Sequence, residues 1–292
     1  MTSNATTEGG ETIAELEAAL ARAASAEQAE AALRAIVALR RSGTAAPLAG
    51  ALHQFGHVQA RQGKMPDAID AWREASDLLR DMSFDKSATE SFVEILIDLG
   101  GLHCAMQSGD AAEMTLLEAI AILRAENSAT ARFTWALNLL AAARRLMGRN
   151  EDALIVLYEA ETVARTVAHA SRAATDAANW ALILNNIGRE ELTAGRPANA
   201  RDTLERCLAV TRELVQTSGS QNDLTLHAAA SNRYGHALEE LGQPAEALPC
   251  YAETVEIMRS LVGGGRQDLA DDLADVEADL ARLRQTLERG RG

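Results

Sequence analysis

Residues 181–190 read ALILNNIGRE, a stretch with the apolar spacing of a helix that nevertheless holds Asn185, Asn186 and Gly188 within four residues. Glycine inside a helix costs about 1 kcal/mol against alanine, and asparagine is a mediocre helix former. Such a sequence either ends a helix or accommodates a close approach to the backbone. Twelve residues beyond Gly188 stands Ala200, and the same step joins Gly56 to Ala68, Gly100 to Ala112 and Gly235 to Ala247; Ala141 to Ala153 is a fifth copy with alanine in the first place. Four residues after each of these alanines comes a large apolar residue: Trp72, Leu116, Leu157, Leu204 and Tyr251. Three further on sits a small one: Ala75, Ala119, Ala160, Cys207 and Thr254.

The spacing describes pairs of antiparallel helices. The first small residue lies mid-helix and lets a second helix approach, so Gly188 marks a helix crossing and not a helix end. Between the halves come Gly63, Gly148, Gly195 and Gly242, placed to take the left-handed conformation that closes a helix; the second copy departs, with Gln107 in that position. Pro66, Pro197 and Pro244 fall near the starts of second helices, where a missing N–H is harmless.

This pattern resembles the tetratricopeptide repeat family over residues 46–263. The copies recur every 44, 41, 47 and 47 residues, which matches the long-repeat variety found in kinesin light chains and in bacterial signalling-associated arrays. The resemblance implies an all-α, right-handed superhelical solenoid of about thirteen helices. Residues 1–10 are expected to be disordered, and 11–45 to form a degenerate leading helix pair. Residues 266–292 carry one narrow stripe (Leu269, Leu273, Val276, Leu280, Leu283, Leu287), which predicts a capping helix or, alternatively, a short coiled-coil seam giving a weak homodimer.

Three residues before each diagnostic small residue the copies hold His53, Ile97, Asn138, Asn185 and Asn232, the last three at equal 47-residue intervals. A carboxamide offers a donor and an acceptor, as a peptide bond does. In long-repeat relatives the asparagines of an LNN motif contact a bound peptide's main chain. The resemblance implies this role for Asn185 and Asn186, and for Asn138 and Asn232, which match the first asparagine; the alternative is that they bridge neighbouring helices. One turn on come His57, Arg189 and His236, with Arg145 and Arg233 expected nearby. Basic groups in an acidic protein point to an acidic segment or a C-terminal carboxylate, unless neighbouring glutamates neutralise them.

The 292 residues carry 42 acids against 28 Lys and Arg, a net charge of -14 that disfavours polyanionic nucleic acid. The opening residues have neither a basic start nor an apolar run, and no stretch is long and apolar enough to span a bilayer, so a cytoplasmic location without membrane insertion is expected. Cys104, Cys207 and Cys250 read as thiols, not as a disulfide framework. His53 and His57 have the spacing of a metal pair, but HQFGH lacks a protease's glutamate and the sequence indicates no third ligand, so neither metal nor cofactor is expected. The triple glycine before Arg266 lacks the residues of a phosphate loop. With no constellation that forms an active site, the reading is a non-enzymatic scaffold binding a peptide segment of a partner. Its rivals are a peptide-gated regulator and an accessory subunit of a pathway enzyme.

Overall fold

The computed structural model describes residues 12–80, 82, 85–126 and 130–289. The segment expected to be disordered, 1–10, lies outside them. The described residues form thirteen α-helices and no β-strand. They divide into two compact units, 1–127 and 128–292.

In the first unit α1 (Ile13–Ala21), α2 (Ala26–Arg40), α3 (Ala45–Arg61), α4 (Met65–Arg80), α5 (Lys86–Ala105) and α6 (Gly109–Ala125) each pack on the next, and α3 also touches α5. In the second, α7 (Ala131–Leu146), α8 (Asn150–Ser171), α9 (Ala174–Thr193), α10 (Pro197–Thr217), α11 (Gln221–Glu240), α12 (Pro244–Gly263) and α13 (Ala270–Arg289) do the same. There α9 touches both α7 and α11, so the first helices of successive pairs stand side by side as a wall.

The helix-crossing reading of Gly188 has a specific physical basis. A Cβ on Gly188 would lie 2.5 Å from Leu204 Cγ; on Gly100, 2.5 Å from Leu116 Cγ; and on Gly56, 2.3 Å from Trp72 Nε1. Each glycine is a socket for the large residue sixteen positions later. The seam alanines Ala68, Ala112, Ala153, Ala200 and Ala247 are fully buried, as are Ala75, Ala119, Ala160, Cys207 and Thr254. The pairs close through one turn. At Gly63, Gly148, Gly195 and Gly242 φ lies between 68° and 77°. Just after the turn, Arg196 N–H reaches back to Glu191 O at 2.8 Å and Gln243 N–H to Leu238 O at 2.8 Å, satisfying carbonyls that a helix end leaves open. Gln107 takes the same left-handed conformation, φ 59°, without being glycine.

The C-terminal stripe is buried within its own unit. Val276, Leu280 and Leu283 join Tyr251, Val255 and Met258 in one cluster, with Leu273 and Leu287 packed at its margin. Leu269 is buried in the 3-10 turn Gln267–Leu269 that precedes α13. No helix of the described residues is long and apolar enough to cross a membrane.

Candidate functional site

The sequence-selected residues fall in two groups, one in each unit. In the second unit α7, α9 and α11 bring their asparagines into a ladder. Asn186 donates Nδ2–H to Asn138 Oδ1 at 2.8 Å, and Arg233 donates Nη1–H to Asn185 Oδ1 at 2.9 Å. Asn138 and Asn185 are buried, and Asn186 and Asn232 half-buried. The ladder has a rule: the residue three before the small residue of one copy pairs with the residue two before it in the next copy. Asn232 belongs to the last copy, and no further copy supplies a partner. Its Oδ1 is buried and accepts no hydrogen bond among the described residues.

The basic groups are answered unevenly. Glu190, almost wholly buried, takes Arg189 on Oε1 at 2.9 Å and Arg145 at 3.7 Å. The glutamates adjacent in sequence serve other partners: Glu191 accepts from Tyr158 and from Thr203 at 3.3 Å, while Glu239 is clamped by Arg282 through two bonds of 2.9 Å. His236 Nδ1 faces the Tyr251 hydroxyl at 3.0 Å, and that hydroxyl donates to Glu239 at 2.7 Å. Arg233 differs from the other arginines. Its guanidinium is largely buried, it also donates to the Ala229 carbonyl at 3.4 Å, and no carboxylate among the described residues lies at ion-pair distance. Burial, and then the positive charge of Arg189, hold its pKa below the usual arginine value. Glu190 and Asp272, both beyond ion-pair distance, oppose that shift.

In the first unit the same ladder rule gives different chemistry. His53 Nε2 lies 2.7 Å from Asp98 Oδ2, and His57 Nε2 lies 3.1 Å from the same oxygen. The sequence indicated no third group for the histidine pair, and the fold corrects this. Asp98 occupies the position next to Ile97 on α5, and the α3–α5 contact carries it to the histidines. Burial pushes the Asp98 pKa up, but hydrogen bonds from His53 and His57 outweigh it and bring it down to about 2. The helix beneath is fixed by Trp72, whose indole N–H donates to the His53 carbonyl at 2.9 Å.

Of the thiols, Cys207 is a fully buried seam residue donating to the Ala181 carbonyl, and burial pushes its pKa up to about 12. It is inert packing.

No family model matches the chain, and no curated protein matches it. Solved structures do match. BtubC (BKLC) from P. vanneervenii aligns at TM-score 0.66 and 18% identity, covering 85% of this chain and 92% of that one. The nearly identical TPR-like repeats of a protein from Podospora anserina described as a putative kinesin light chain align at TM-score 0.56 and 16% identity, covering 77% and 97%. NprR in complex with its cognate peptide NprX aligns at TM-score 0.53 and 12% identity, covering 91% and 70%. At these identities the likeness is one of fold, and the fold is an all-α helical-repeat solenoid of the tetratricopeptide type.

Proposed function

We propose that this protein is a peptide-binding scaffold whose second unit docks a segment bearing a carboxylate, an acidic side chain or a C-terminus, on the wall formed by α7, α9 and α11. The observation that carries this reading is Arg233, a largely buried guanidinium with no carboxylate at ion-pair distance. A peptide carboxylate there gains charge-assisted hydrogen bonds from a group whose desolvation the fold has already accomplished. Asn232 Oδ1, the open end of the ladder on the same helix, is buried with no hydrogen bond among the described residues, and in this reading its carboxamide turns toward the peptide to accept a main-chain N–H. Asn186, Arg189, Arg145 and His236 line the approach, whereas Asn138 and Asn185 act one step back by holding Asn186 and Arg233. The likeness to NprR, which was solved with a peptide, supports the same reading, since a wall of repeated first helices suits an extended chain.

The test is anisotropy against labelled peptides with free or amidated C-termini, with and without acidic residues. Binding that prefers carboxylates and falls roughly tenfold or more in Arg233→Gln supports the reading, in line with the 1.5–3 kcal/mol of a charged hydrogen bond. Selection of basic peptides, or undiminished binding by Arg233→Gln, refutes it.

A further inference from the structure

We propose that His53, His57 and Asp98 form a binding site for a single divalent transition-metal ion of the zinc class. The site lies in the first unit and is independent of the peptide reading. Its three donor atoms, two imidazole nitrogens and one carboxylate oxygen, lie within 4.8 Å of one another. An ion bound at zinc's usual distances of about 2.0–2.1 Å in a tetrahedral arrangement sets its ligand atoms roughly 3.3 Å apart. The nitrogen-to-oxygen separations of 2.7 and 3.1 Å need to open only slightly to reach that spacing.

The donors are held in place before any ion arrives. His53 and His57 are one helical turn apart on α3, and their rings lie 4.6 Å apart between centroids. Trp72 grips this turn at two points: its N–H holds the His53 carbonyl at 2.9 Å, and its ring meets His57 edge-on at 5.1 Å. It can do so because Gly56 has no side chain to obstruct it. Asp98 comes from a different helix, so the set is brought together by folding and does not pre-exist in the unfolded chain.

The donor set selects the metal. Two imidazoles with one carboxylate suit Zn2+, Ni2+ or Cu2+, whereas Mg2+ and Ca2+ call for oxygen ligands throughout. The cluster reaches the surface on the side of His57. The His57 side chain is 45% exposed. It also edges a cleft of about 830 Å³ lined by Leu20, Leu33, Gln54 and Arg61. A water or a ligand group can complete the coordination from that side.

The test is calorimetric titration of the chelator-treated full chain with Zn2+, beside thermal melts with and without the ion. Expected are one tight site, a raised melting temperature, and indifference to Mg2+ and Ca2+. His53→Ala, His57→Ala and Asp98→Asn should each weaken binding by more than the roughly 10–100-fold that a lost outer partner costs, while His236→Ala leaves it unchanged. No tight site, or one that survives all three substitutions, overturns the proposal and leaves the cluster as a hydrogen-bonded link between α3 and α5. If a variant does not fold, Co2+ bound to the wild-type chain decides. Tetrahedral ligand-field absorption displaced by Zn2+ supports the site, and an octahedral, water-like spectrum overturns it.

Discussion

The two units place different chemistry on equivalent positions. Where the first sets His53, His57 and Asp98, the second sets Asn185, Arg189 and Arg233, residue for residue at the same steps from the helix-crossing glycine. One trio centres on a carboxylate with two imidazoles around it; the other centres on a guanidinium with an amide and a second guanidinium. The first gathers donors of the kind that hold a cation, and the second gathers positive charge. The corresponding ladder positions of the second and third copies are Ile97 and Leu139, whose side chains carry no polar atom, and the division between the units falls between those copies. A repeat scaffold thus fixes where side chains meet and leaves open what they do.

The most severe way to break the comparison is to block a socket. Gly188→Leu forces its side chain into Leu204 and should destabilise the second unit by about 3 kcal/mol or more. Hydrogen exchange should show α9 and α10 losing protection; an unchanged pattern removes the basis for reading the glycines as sockets.

Substitutions at the two centres should have opposite signs. Asp98→Ala strips two histidines of their acceptor and should cost about 2 kcal/mol. Arg233→Met removes a largely buried charge whose counter-charges, Glu190 and Asp272, lie beyond ion-pair distance, and should raise stability by about 1 kcal/mol, even after the bond to Asn185 is lost. Urea melts of both variants decide this, and a loss in both would erase the distinction between a paired and an unpaired centre.

Acid should loosen the end of the second unit. The hydrogen bonds from Arg282 hold the Glu239 pKa below the ordinary glutamate value, against burial, which raises it. A depressed folded pKa means that the stabilisation is fully present above about 4.5 and disappears as the pH falls through the folded value. Limited proteolysis should release α13 earlier than the other helices in that window, and Glu239→Gln should abolish the pH dependence of the release. The smallest effect is expected at the first unit's irregular turn. Gln107→Gly relieves a left-handed non-glycine residue and should add about 0.5 kcal/mol, read as a small rise in melting temperature.

The fold was legible because its determinants lie close together in sequence. Gly188, Ala200 and Leu204 announce a helix pair within one short stretch, and Gly195 announces the turn between its helices. The ladder was only half legible. The asparagines stood out by their equal spacing, but which of them meet depends on contacts between copies. Asn186 and Asn138 are 48 residues apart, and nothing local joins them. Asp98 was missed for the same reason. It sits in LIDLG, one residue past an apolar member of the row, 45 residues from His53. The available signal was its position, the same one that holds Asn186 and Arg233.

The glycine sockets also bear on the order of assembly. Gly188 and Leu204 are sixteen residues apart, whereas the ladder pairs span 45 or 48. Tripling a loop adds about 1 kcal/mol of closure entropy, so each helix pair can zip up alone before any ladder bond forms. Contacts this local place the chain among fast-folding topologies. During synthesis from the N-terminus, α3 and α4 are complete before Asp98 exists to meet His53. Each finished pair then presents a half-made rung, and the next first helix to emerge supplies the other half.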